Sequence, residues 1–121
     1  MTKNNRQTIG SWGESLAKDY LLRQGYKILA TNCKTSYKEI DIIALQGDDL
    51  VFVEVKTRTS LAYGDGSEAV GHHKQRHLRA AIAKYLHDKK LWKKEARCDL
   101  ILILFNRFAR QARLRHYQDI L

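Results

Sequence analysis

Two short apolar runs, adjacent and each interrupted by charge, constrain the fold of this chain more than any other feature. Residues 38–45 (KEIDIIAL) and 50–58 (LVFVEVKTR) flank the segment Gln46-Gly47-Asp48-Asp49. Val, Ile and Phe dominate both runs, which suits the pleated surface of a strand. Gly47-Asp48 suits a two-residue hairpin turn, because Gly accepts positive φ and Asp tolerates it better than most residues. Outside the charged positions both runs are apolar on both faces, so they belong in the middle of a sheet. A hairpin symmetric about Gly47-Asp48 pairs residues whose numbers sum to 95. Asp41 then faces Glu54, and Glu39 faces Lys56. Directly opposed side chains have Cβ atoms roughly 4.5–5.5 Å apart, and like charges there repel. A divalent cation between Asp41 and Glu54 would remove the repulsion. Mg²⁺ is the natural candidate, since it takes one or two carboxylates plus water and phosphate oxygens. A one-residue slip would send the two carboxylates to opposite faces.

At 121 residues the chain reads as one domain, 1–121, with residues 1–7 a flexible arm. It carries 22 Lys+Arg against 13 Asp+Glu, a net charge of +9, which favours a polyanionic partner such as nucleic acid over an incidental excess of base. No run of about 18 apolar residues is present, and the polar start MTKNNRQT lacks a signal-peptide core, so a cytoplasmic protein without a membrane span is expected. Cys33 and Cys98 are the two cysteines and form no CxxC, so reduced thiols are expected.

The remaining periodicities give the order α-β-β-β-α-β-β. Helix 1 is expected from about Ser11 to Gln24, with Ser11 and Glu14 as a capping box and Gly25 as the stop. Residues 26–32 form a first strand, 38–45 and 50–58 the second and third, and 59–70 a loop. Helix 2 is expected over 71–90, from the spacing of Leu78, Ala81, Ile82, Tyr85 and Leu86. Residues 98–105 read as a buried strand and 113–117 as a short basic one. The fold class is α/β: a mixed central sheet of about five strands with helices on its sides.

Asp41, Glu54 and Lys56 spell D-x12-E-x-K across two neighbouring strands. This arrangement resembles the PD-(D/E)xK, or restriction-endonuclease-like, superfamily. The whole chain more closely resembles the YraN-like family of small bacterial proteins. The resemblance rests on Gly13-Glu14, Tyr20-Leu21, Gly25-Tyr26, Asn32, Glu39 to Ala44, Leu50 to Arg58, Lys74, Tyr85-Leu86 and Arg97-Cys98-Asp99, and covers about residues 10–105. Ile40 stands where the superfamily name has proline, and Lys38 stands where the family usually has Gly.

The resemblance implies a nuclease-type core with Mg²⁺, or Mn²⁺, at the acidic cluster. Asp41, Glu54 and the backbone carbonyl of Val55 would be ligands, and Lys56 would orient or deprotonate the attacking water. The layout is similar to that of the archaeal Holliday-junction resolvases, which add a helix-1 glutamate. By position this is Glu14, for which the capping box is the competing reading. For Asp41 and Glu54 the competing reading is ion pairing to Lys56 and Lys38. Glu39 reads either as a second acid near the site or as the partner of Lys56. Lys74 resembles a helix-borne phosphate contact, against a plain solvated face, and Arg58, Arg76, Arg79 and Lys38 extend the nucleic-acid surface. His73 and His77 stand four apart, but without a third ligand they read as surface histidines. Trp12 and Trp92 read as packing aromatics, with base stacking the alternative. The expected activity is Mg²⁺-dependent endonuclease action on DNA rather than RNA, in branched or structured form. The alternative is a binding module of the same fold that works with a partner protein. A homodimer, hinted at by the apolar end Ile120-Leu121, belongs to the resolvase branch.

Overall fold

The computed structural model describes residues 5–59, 72–91, 94–106 and 108–121, with side chains described from Gly10 onward in the first helix and from Gln75 onward in the second. The elements follow the expected order: α1 (Asn5–Arg23), β1 (Lys27–Cys33), β2 (Ile40–Gln46), β3 (Asp49–Arg58), α2 (His72–Asp88), β4 (Ala96–Asn106) and β5 (Gln111–Tyr117). The predicted loop 59–70 lies, apart from Thr59, outside the described residues, as does Trp92.

The five strands form one sheet in the order β1-β2-β3-β4-β5. Neighbours run antiparallel except β3 and β4, which are parallel and joined through α2. The β2–β3 hairpin has the expected register, from Gln46↔Asp49 to Ile42↔Val53. Side-chain alternation divides the core between the two faces. Ile42, Ala44, Val51, Val53, Ile101 and Ile103 pack with Ala17 and Leu21 of α1. Ile43, Leu50, Phe52 and Cys98 pack with Leu78 and Ala81 of α2. β2, β3 and β4 are thus covered on both sides, while β1 and β5 are edges.

Helix α1 begins earlier than expected. Its helical residues reach back to Asn5, so the predicted arm of residues 1–7 is helical from Asn5 onward. Ser11 and Glu14 therefore lie inside the helix, where a capping box has no free amides to satisfy. The helix ends as predicted at Gly25. The Tyr26 amide donates to the Leu21 carbonyl at 2.9 Å and the Gly25 amide to Leu22 at 3.1 Å, the paired bonds of a Schellman stop. The tail Ile120-Leu121 packs against the α2-side core, and the Ile120 amide donates to the Cys98 carbonyl at 2.8 Å. Both tail residues are half-buried, packed on that core with part of their surface still in water. Cys33 and Cys98 are both free thiols.

The sheet has two unlike ends. The Gly47-Asp48 turn, the start of β4 and the end of α2 gather at one, where the Leu50 amide donates to the Glu95 carbonyl at 2.8 Å. The other end collects the carboxyl ends of parallel β3 and β4. In open α/β sheets ligands bind outside the carboxyl ends of parallel strands.

Candidate active site

At the second end the β2–β3 ladder stops short. The last paired residues are Ile42 and Val53, so Asp41 and Glu54 are not ladder partners, contrary to the symmetric hairpin expectation. Ile40 also shares a core cluster with Ile43 rather than with Ile42, so the alternation breaks at the start of β2. The two strands part here, and the Asp41 side chain takes over from the backbone. The Val55 amide donates to Asp41 Oδ2 at 2.8 Å. In an extended strand the N–H and C=O of one residue project to the same side. The Val55 carbonyl therefore also faces the Asp41 side of β3.

Glu54 projects on the α2 side of β3, since it alternates with Val53 and Val55 of the α1 side. It is 5% exposed. Lys56 Nζ lies 3.6 Å from Glu54 Oε1, and Lys38 Nζ lies 3.3 Å from Oε2. The second contact is an ion pair by distance only, because buried Oε2 receives no aligned hydrogen bond. The predicted pairing of Glu39 with Lys56 does not occur, because Glu39 precedes β2 and Glu54 itself takes Lys56. Lys38 is positioned from its own backbone. The Thr35 hydroxyl oxygen accepts from the Lys38 amide at 3.0 Å and donates to the Lys38 carbonyl at 2.6 Å, which holds the turn that a Gly would otherwise ease.

Glu14 comes to the cluster from α1. Gly13 makes the approach possible: a Cβ there would run into Thr57 Oγ1 of β3. Asn32, in the left-handed region at φ 50, sets its side-chain amide against two acids; with the amide turned so that its nitrogen faces them, it donates to Glu14 Oε2 (3.2 Å) and Glu39 Oε1 (3.1 Å). Burial raises the Glu14 carboxyl; the Asn32 hydrogen bond opposes this, and the charges of Glu39 and Glu54 add to it. Asp41 is perturbed further. Burial and the Glu54 charge, partly opposed by the Val55 amide, push its carboxyl up to about 7, with Glu14 raising and Lys38 lowering it in addition. Carboxyls raised in this way, as those of Asp41 and Glu14 are, are a common mark of a functional site.

The structure thus brings Asp41, Glu54, Lys56, Lys38, Val55 and Glu14 together. Arg58 ends β3 just beyond them. Arg76 and Arg79 are exposed on α2. Arg79 borders Ala96 and Cys98, toward the opposite end of the sheet, so it does not share the cluster. The side chains of His73 and Lys74 lie outside the described residues; the backbone of both is in the first turn of α2. Among the described residues, no group of three or more His, Cys, Asp or Glu side chains is arranged to hold a metal ion by itself. The chemistry of the donor set fits an ion that keeps open positions: two carboxylates, one with an unsatisfied buried oxygen, and an adjacent carbonyl edge.

A second polar cluster escaped the sequence reading. Asp99 of β4 is 0% exposed and accepts four hydrogen bonds: from Arg97 Nε (3.0 Å) and Nη2 (3.2 Å), His116 Nε2 (2.7 Å) and the Asp119 amide (3.0 Å). An ionised carboxylate only accepts, so Nε2 carries a proton, and Nδ1 meets the Tyr20 hydroxyl oxygen at 2.9 Å. Arg97 Nη2 also donates to the Tyr26 hydroxyl at 2.8 Å. Burial works to raise the Asp99 carboxyl, but His116, Arg97 and the Asp119 amide outweigh it and hold it below the usual range. This network ties α1, Tyr26 just before β1, β4, β5 and the C-terminal residues together on the α1 side. The available signal was Arg97-Cys98-Asp99, whose charges have no place in a buried strand unless they pair.

These features define a mixed α/β protein with a carboxylate–lysine cluster where its central sheet forks. The chain belongs to the uncharacterised protein family UPF0102, whose model matches residues 13–103. A UPF0102 protein of Caldanaerobacter subterraneus subsp. tengcongensis is 44% identical over 106 residues, spanning 88% of this chain and 87% of the relative. One from Carboxydothermus hydrogenoformans is 40% identical over 119 residues, spanning 97% and 98%. One from Syntrophotalea carbinolica is 41% identical over 112 residues, spanning 93% and 89%. This is the family expected from the YraN-like resemblance. No helix among the described residues is long and apolar enough to cross a membrane.

Proposed function

We propose that this protein binds nucleic acid and hydrolyses phosphodiester bonds with Mg²⁺ or Mn²⁺, as the restriction-endonuclease-like resemblance implies. One observation carries the reading. Buried Glu54 keeps an oxygen without a hydrogen bond beside Asp41, at the point where β2 parts from β3. An unsatisfied buried carboxylate oxygen costs stability, and a cation-binding role accounts for it.

Asp41, Glu54 and the Val55 carbonyl would hold the ion, with Glu14 contributing from α1. The chemistry such an ion supplies when bound is activation of water and neutralisation of phosphate charge. The chain's own groups do the rest. The Val55 amide orients the Asp41 carboxylate through its 2.8 Å bond. Lys56, held by Glu54, places an ammonium beside the reacting phosphate, where a fixed positive charge is worth most. Lys38 sits on the other Glu54 oxygen, the one an ion would share. Arg58 and Arg76 contribute charge that raises affinity for a phosphate backbone without reading bases. DNA in branched or structured form is the proposed substrate, and a homodimer belongs to that proposal.

The second reading, a binding module without catalysis that works with a partner protein, is favoured by one observation. Both ammonium groups already neutralise Glu54. The deciding experiment is cleavage of labelled four-way junction, flap, duplex, single-stranded DNA and RNA in Mg²⁺, Mn²⁺ or EDTA. An Asp41→Asn protein is purified in parallel. Metal-dependent cutting that disappears in the variant supports the enzyme. Salt-sensitive binding without cutting supports the module, and equal cutting by both proteins marks a contaminant.

A further inference from the structure

The sheet end that carries Lys56 runs on into the β4–β5 hairpin, and the tip of that hairpin has a feature the acidic cluster does not use. Phe108 is 100% exposed. A phenyl ring left wholly in water forgoes the hydrophobic gain of burial, while the backbone turn that carries it is held by a side chain. Asn106 Oδ1 accepts from the Phe108 amide at 3.0 Å and the Ala109 amide at 3.1 Å, so the turn is pinned and the ring is presented. Beside it lies a groove of about 390 Å³ lined by Thr59, Leu104, Phe105, Phe108 and Arg113. Trp12 of α1 backs the groove, edge-on to Phe105 with ring centroids 5.2 Å apart. Trp12 directly precedes the Gly13 that lets α1 approach β3.

The charges along the hairpin's own sequence are of one sign. Residues 104–117 include Arg107, Arg110, Arg113 and Arg115 and no acidic residue. Thr59 stands three residues after Lys56, about 10 Å along an extended chain; alternation puts it on the α1 face and Lys56 on the α2 face with Glu54, so a strand that touches both must pass around the end of the sheet. Basic side chains interleaved with exposed aromatics are what a single-stranded nucleic acid needs: charge for its backbone and π-faces for its bases. A base inside a duplex offers neither face, because its neighbours cover both.

We propose that this groove takes an unpaired nucleobase, with Phe108 as the stacking surface and Arg110 and Arg113 at the flanking phosphates. The substrate class is then nucleic acid carrying unpaired bases next to the scissile position. The proposal rests on the nucleic-acid reading of the Asp41–Glu54–Lys56 site.

The test measures binding in EDTA to an oligothymidine strand containing one 2-aminopurine and to a fully paired duplex of equal length, each at low and high salt. The proteins are the wild type, Phe108→Ala and Phe108→Trp. Loss of one stacked base corresponds to roughly a 5- to 150-fold drop in affinity. Phe108→Ala should show that drop on the single strand and lose the 2-aminopurine quenching. It should bind duplex as the wild type does, and Phe108→Trp should retain both properties. If Phe108→Ala binds the single strand as tightly as the wild type while duplex binding stays salt-sensitive, the groove proposal fails and the acidic-site reading survives. If the wild type binds neither nucleic acid, both fail. If the wild type sediments as a dimer that Phe108→Ala converts to monomer without loss of strand affinity, a second copy of the chain is the occupant and the proposal is overturned.

Discussion

Replacing Asp41 by Asn should make the metal-free protein more stable at neutral pH. Burial and the Glu54 charge lift the Asp41 carboxyl from its ordinary 3.8 to about 7, against the pull of the Val55 amide and Lys38. In the unfolded chain the same group titrates near its ordinary value. Between those two pH values the folded protein holds a proton that the unfolded chain has released. Stability therefore falls as pH rises from about 4 to about 7 and levels off above. Each unit is worth about 1.4 kcal/mol, so the span of roughly three units has a ceiling of about 4 kcal/mol. Asp41 is only partly buried, and screening brings the expected loss to roughly 2–3 kcal/mol. Asn keeps an oxygen for the Val55 N–H and removes the charge. The variant should match the wild type near pH 4 and exceed it by that amount at pH 8. Glu14, raised mainly by burial, titrates in the same sense and leaves a shallow slope. The assay is urea unfolding followed by circular dichroism in EDTA at several pH values. Mn²⁺ at a hundred times its dissociation constant should restore about 2.7 kcal/mol to the wild type and little to the variant. An Asp41→Asn protein no more stable than wild type at pH 8 would refute the account of a strained carboxylate cluster.

Three further outcomes follow from the packing. Asp99→Asn leaves Arg97 and His116 facing a neutral group and should cost roughly 3–5 kcal/mol in urea unfolding at pH 7. In the wild type the depressed Asp99 carboxyl contributes stability that is present above its unfolded-state value near 4 and lost as pH falls below it. Gly13→Ala adds helix propensity worth about 1 kcal/mol, but the methyl meets Thr57 Oγ1, and overpacking of about 1–3 kcal/mol should leave the variant less stable. A double-mutant cycle with Thr57→Ala should recover most of that loss, and strict additivity would count against the contact. Burial pushes the Cys98 thiol up to about 12, so at pH 8 a thiol reagent should modify Cys33 first and reach Cys98 only on unfolding.

Much of the fold could be read locally. The apolar runs around Gly47-Asp48 were long enough to give two strands, and the tight turn set the register from Gln46↔Asp49 to Ile42↔Val53. That register then failed at Asp41, because the alternation rule assumes a continuous ladder and the strands part at this point. The helix start was also missed. Ser11 and Glu14 mimic a cap, while residues 5–9 are mostly polar and give no apolar stripe to mark a helix. The Asp99 network was beyond reach for a different reason: Tyr20 and His116 are 96 positions apart, and nothing local encodes their contact.

The amino-acid sequence alone determined the element order, the central hairpin and the presence of Asp41, Glu54 and Lys56 on neighbouring strands, because each depends on periodicity and turn chemistry over a few residues. The tertiary structure decided which charges meet. It set Lys38 and Lys56 on Glu54, brought Glu14 in beside Gly13, buried Asp99 among Arg97 and His116, and left Phe108 in water. Those outcomes depend on how α1 docks and how α2 returns the chain to a parallel β4. Such contacts join distant parts of the chain, and their energies exist only once the sheet is assembled.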